Sequence, residues 1–191
     1  MKRAVLLLLL WASGLAAFAQ HKAFDMGLSA GIYFTQVNKP ILQSAYAAGE
    51  FEYHHTPKWA FAANILLAEY FFQKYELDYF TSQEVPMRRR GSEVQSNFMV
   101  KYQLFTYRRV HFQVGAGLGL ITSGNELRID TSGGGMYLIY KSNTDFGFPV
   151  QAELYRPITK KIFLGLKGGL FIQPDYPIMA HNLGLQVRYR L

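Results

Sequence analysis

The side chains able to do chemistry in this chain recur at every second position. Glu50, Glu52 and His54 form one such run, and Gln151, Glu153 and Tyr155 another; Lys101 pairs in the same way with Gln103, and Arg188 with Arg190. Successive side chains of a β-strand point to opposite faces, so each run shares one face of a strand. Carboxylates set this way act as general acids and bases only when a nucleophile or a bound substrate lies between them. No nucleophile stands in the pattern. Ser96 has the opposite parity with no histidine beside it, His181 has no serine partner, and His54 and His55 fall at a turn. Gly115, Gly117 and Gly119 alternate along a strand with no helix after them, which does not make a phosphate loop. The carboxylates read as ion-pairing partners, with no catalytic, cofactor or metal site expected.

Strands must hold these residues, and the strands can be counted. The last nine residues alternate without a break: Leu183, Leu185, Val187, Tyr189 and Leu191 on one face, Gly184, Gln186, Arg188 and Arg190 on the other. Reading for the same period gives seven more segments, at about residues 24–34, 44–54, 59–67, 93–104, 110–120, 146–155 and 162–170. The polar parity of the set collects Glu50, Glu52, His54, Glu93, Lys101, His111, Glu153, Lys167, Arg188 and Arg190. A soluble protein buries the apolar face of such strands, whereas a transmembrane barrel turns it to lipid and holds the charges inside. An eight-stranded barrel has room inside for side chains and little else, so these charges are expected to pair and to plug the lumen.

The rest of the sequence fits the second arrangement. Residues 1–19 have the form of a cleaved secretory signal: Lys2 and Arg3, a short apolar run, then Ala17 and Ala19 at a small-x-small site. No later stretch reaches the roughly 18 apolar residues of a membrane helix, so a membrane-inserted form of residues 20–191 has to be a closed barrel. Cysteine is absent, so no disulfide framework holds the chain. The net charge is +7, but the basic residues are scattered over turns and inward faces, which excludes a nucleic-acid groove. Residues 55–58, 106–109 and 157–161 are short and turn-like, while 35–43, 69–92, 121–145 and 172–180 are long connections. Tyr53, Trp59, Tyr102, Phe112 and Tyr189 lie on the apolar parity near the short turns; Phe34, Phe98, Phe146 and Phe148 lie on it near the long connections. Rings at two levels are expected at the two lipid–water boundaries.

With these features the chain resembles the small eight-stranded outer-membrane barrels, the family of the OmpA membrane domain and OmpX, and in detail the outer membrane beta-barrel proteins of Bacteroidetes-type bacteria. The ending Leu183, Leu185, Val187, Tyr189, Leu191 looks like the signal read by the barrel-assembly machinery, with Leu191 where that family most often has Phe. The resemblance implies an all-β, antiparallel up-and-down barrel in the outer membrane of a Gram-negative cell, with short periplasmic turns and long extracellular loops. It identifies a fold and hardly a function. Two loop features offer binding. Arg88, Arg89 and Arg90 are three adjacent guanidinium groups that suit the phosphates and carboxylates of lipopolysaccharide. Gly133, Gly134 and Gly135 precede residues 136–140 as a hairpin turn precedes a return strand, whose free edge could add a strand from an extracellular protein. The expectation is a non-enzymatic barrel, structural or surface-binding. The alternatives are a small-solute or hydrophobic-compound pore, a lipid A-modifying barrel enzyme, and a secreted lipocalin-like barrel.

Overall fold

The computed structural model describes residues 23–35, 41–77, 84–130, 136–174 and 180–191; the expected leader and the glycine triplet 133–135 lie outside the described residues. Eight strands run in chain order: β1 (Phe24–Thr35), β2 (Ile41–His54), β3 (Trp59–Leu77), β4 (Glu84–Tyr107), β5 (Val110–Asp130), β6 (Met136–Pro157), β7 (Ile162–Ile172) and β8 (Ala180–Arg190). Every neighbour pair is antiparallel, and β8 closes on β1 from Asp25 opposite Arg190 to Thr35 opposite Ala180. The Leu191 amide donates to the Phe24 carbonyl at 2.9 Å, which seals the seam at the short-turn end.

Polarity is inverted relative to a soluble barrel. Leu28 is 72% exposed on the outer face, whereas the inward Arg188 is 1% exposed. The same division holds around the wall: Ile65, Phe98, Leu118, Leu164 and Leu185 face out, while Glu52, Lys101 and Glu153 are buried within. Such an outer face is better matched to hydrocarbon than to water. The shortest walls, β7 and β8, have 11 residues each. At a barrel tilt they span roughly 28 Å, close to the thickness of a bilayer's apolar core.

The short connections form as the sequence indicates, and two of them share one design. Thr56 Oγ1 accepts from the amides of Lys58 and Trp59 at 3.3 and 2.9 Å, and Thr159 Oγ1 accepts from those of Lys161 and Ile162 at 3.2 and 3.0 Å. The third, between Tyr107 and Val110, has only Arg108 and Arg109, with φ of 47° and 71°. Both central residues of this hairpin turn are left-handed, the geometry that Asn-Gly normally supplies. Changing Arg108→Asn and Arg109→Gly together is therefore expected to raise the unfolding free energy by about 1 kcal/mol, measured by denaturant titration in lipid.

Two of the long connections are largely strand. β3 and β4 stay paired out to Leu77 opposite Glu84, and β5 and β6 out to Asp130 opposite Met136. The expected connections 69–92 and 121–145 are thus mostly arms of two hairpins that rise roughly 25 Å beyond the β7–β8 rim. Beyond the apolar slab the two faces of a strand meet similar surroundings, so the alternation that marks a strand inside it fades. The return strand expected at 136–140 is present as the start of β6.

Candidate functional site

Inward residues of β2, β4, β6, β7 and β8 meet in one ionic layer. Lys101 Nζ lies 2.5 Å from Glu50, 2.9 Å from Glu52 and 2.7 Å from Glu153. Lys167 Nζ donates to Glu50 at 2.8 Å and lies 4.0 Å from Glu153. Arg188 pairs with Glu52 at 3.1 Å and Glu50 at 3.2 Å, contacts Glu153 as well, and rests its guanidinium 4.6 Å over the Tyr155 ring. Three carboxylates balance three cations, and each of the six side chains is at most 3% exposed. Gln113 Nε2 donates to Glu52 at 2.9 Å, and Gln151 donates to Glu50 and Glu153. Buried charges are tolerable only when matched and hydrogen-bonded in this way. The three carboxylates come within 4.8 Å of one another, a spacing that suits a bound cation, but the Lys101 ammonium already stands among them.

Glycines make room for the large inward rings. Gly165 on β7 faces Tyr155 on β6, where an added Cβ would sit 2.6 Å from the tyrosine Cβ. Gly184 on β8 does the same for Tyr46, 2.5 Å from its hydroxyl. Space for the large tyrosines is thus built from residues with no side chain.

The sequence-identified charges do not all join this layer. Arg190 and the buried Asp25 form a two-pronged ion pair at 2.9 and 3.0 Å near the short-turn rim. His54 bridges that pair to the layer, 2.9 Å from Asp25 and 3.3 Å from Glu52. His111 stands apart: it stacks on Tyr155 at 5.1 Å and places Nδ1 3.1 Å from Thr106 Oγ1. Glu93 also stands apart, eight positions along β4 from Lys101, or roughly 20 Å up the barrel. It accepts hydrogen bonds from Tyr33, from Thr35 at 2.9 Å and from Tyr70 at 3.2 Å, and Gln95 donates to the Tyr33 hydroxyl at 2.8 Å. Around it lies an apolar layer with Tyr46, Leu66, Phe72, Ile121 and Phe171 pointing inward.

Arg88, Arg89 and Arg90 are not brought together. They lie on β4, so Arg89 is buried inward while Arg90 is exposed and pairs with Glu69. The side chain of Arg88 lies outside the described residues. Adjacent residues on a strand point to opposite faces, which divides a triplet that a loop would have presented together. Ser96 faces outward between Ile65 and Leu120, and His181 stacks on Phe34 at 4.9 Å. The outer wall also carries a hollow of about 580 Å³ between Leu28, Ala47, Gly49, Ile65, Leu67 and Val187. Its lining is apolar, and the hollow is separate from the ionic layer.

The fold is that of the small eight-stranded outer-membrane barrels. Neisserial surface protein A (NspA) matches with a TM-score of 0.54 at 14% identity, over 89% of this chain and 97% of that one. Ail, the attachment invasion locus protein of Yersinia pestis, in its structure with the heparin analogue sucrose octasulfate, matches with a TM-score of 0.54 at 10% identity, over 89% and 97% of the two chains. No protein-family model matches the sequence, and no curated protein matches it.

Proposed function

We propose that this chain is a non-enzymatic integral outer-membrane barrel with a plugged lumen, which acts at the cell surface through the two hairpins above its long-strand rim. The observation that carries the reading is the pairing of an apolar outer wall with a charge-balanced, buried interior. The first suits lipid, and the second supports a lumen closed to solutes. A lipocalin-like reading needs the opposite polarity, and a lipid A-modifying reading needs a nucleophile and base that Ser96 and His181 do not form.

Surface binding rests on the second hairpin. β6 pairs with β5 along its upper half, but its pairing with β7 begins only at Phe148. Among the described residues no strand covers the other edge of 136–147, so a strand from an extracellular protein has a template there. Ail, named for attachment and invasion, shares the fold, which supports a surface role. The outward residues Leu183, Leu185, Val187, Tyr189 and Leu191 of the closing strand would serve as the assembly signal.

Two results test this. Purified protein in planar bilayers is expected to give no steady single-channel conductance, and a steady current would refute the plug. Cells displaying the protein are expected to bind immobilised matrix or serum proteins more than cells displaying a form with 126–141 replaced by Asn-Gly. Equal binding at equal surface level would remove the hairpin from the function.

A further inference from the structure

The short-turn rim carries one sign of charge. Lys58, Arg108, Arg109, Arg156, Lys160 and Lys161 are exposed there, contributed by all three short turns and the end of β6. Among the described residues no carboxylate side chain is exposed at this end: Asp25, Glu52 and Glu153 are each at most 2% exposed and already paired inside. The rim thus carries six exposed cations and, among the described residues, no exposed acidic side chain.

The rim is also apolar at its base. Tyr107 is 62% exposed, Ile158 60% and Trp59 48%, so the cations stand directly above the edge of the apolar wall. Two of them are held at that level by rings: the Arg108 guanidinium lies 5.2 Å over Tyr107, and Lys161 Nζ lies 5.5 Å over Tyr189. Arg108 and Arg109 moreover keep φ of 47° and 71°, where Asn and Gly would relieve the backbone. Strain retained at an exposed turn points to a use for the side chains. A partner that fits must place negative charge a few ångströms above an apolar chain.

We propose that the short-turn rim binds anionic glycerophospholipid headgroups, with phosphates on the lysines and arginines and acyl chains against the wall below. The inference rests on the membrane reading above and adds a lipid preference to one leaflet. Guanidinium groups suit phosphate oxygens geometrically, and lysines supply point charge beside them.

Trp59 is placed to report it. It lies at this rim, tilted against Tyr102 with ring centroids 4.7 Å apart, and the only other tryptophan of the chain is Trp11. The protein with Trp11→Phe is reconstituted in phosphatidylcholine vesicles that contain brominated phosphatidylglycerol or brominated phosphatidylcholine at equal mole fraction. Brominated phosphatidylglycerol is expected to quench Trp59 two- to five-fold more effectively, and the preference is expected to shrink as salt is raised. The Lys58→Gln, Arg108→Asn, Arg109→Gly variant, whose turn is relieved rather than strained, is expected to lose the preference while keeping its heat-dependent gel mobility. Equal quenching by the two lipids in the unsubstituted protein would overturn the lipid preference and leave the barrel in the membrane. Preference surviving in the folded variant would overturn the assignment to these residues. Absence of quenching by either lipid would overturn the membrane reading itself.

Discussion

Replacing Lys101 with methionine is expected to cost about 3–5 kcal/mol of stability, because it leaves buried carboxylates without their shared cation. Lys101 Nζ touches Glu50, Glu52 and Glu153 at 2.5–2.9 Å. Without it, Lys167 and Arg188 remain as two cations against three carboxylates in a layer cut off from solvent. Glu153 and Glu52 then lose their closest ammonium while keeping each other's repulsion. The measurement is urea unfolding in lipid vesicles, read from the heat-sensitive gel band. Adding Glu153→Gln to Lys101→Met restores the charge balance and is expected to recover part of the loss, since a matched removal costs far less than a one-sided one. If Lys101→Met changed stability by less than about 1 kcal/mol, the layer would be hydrated rather than paired.

A loss of similar size is expected from a residue with no charge. Phe171→Ala should destabilise the barrel by about 3–5 kcal/mol, the usual range for emptying an aromatic site in a packed interior. Phe171 is 1% exposed and points inward from β7, with its ring against the positions of Gly119 and Gly147. Two glycines leave the space that one ring fills. The midpoint of thermal unfolding in lipid reads the effect. A shift too small to resolve would mean that the upper lumen is loosely filled and that the ionic layer alone closes the barrel.

These two layers were unequally legible in the sequence. The run Leu183 to Leu191 and the parity of Glu50, Glu52, Lys101, Glu153, Lys167 and Arg188 were enough to place charges inside and leucines outside, because each face inside the slab meets a different medium. Parity reports the face, however, and not the height. Glu93 shares its face with Lys101 yet lies near Tyr33 and Tyr70, far above the ionic layer. The pairing of Asp25 was hidden for another reason. Its partner Arg190 is 165 residues away and meets it only because β1 closes on β8, a contact that no local pattern encodes.

The hairpin arms show the limit of the same rule. Phe71 and Phe72, or Arg88 through Arg90, present like residues on successive positions, which reads as loop. They are nevertheless paired in register, Phe71 with Arg90 and Phe72 with Arg89. Backbone ladders hold these arms as extensions of strands already registered in the wall below, so they need no apolar alternation of their own. The short turns were legible because their chemistry is local: Thr56 and Thr159 each bond amides two and three residues ahead.

The inside-out polarity on which the whole reading depends can be tested in one gel. Outer-membrane fractions containing the protein are washed with alkali and run in detergent, heated and unheated. An intact transmembrane barrel stays with the membrane and migrates faster before boiling than after it. A protein released by alkali, with one mobility in both lanes, would mean that the apolar wall does not face lipid.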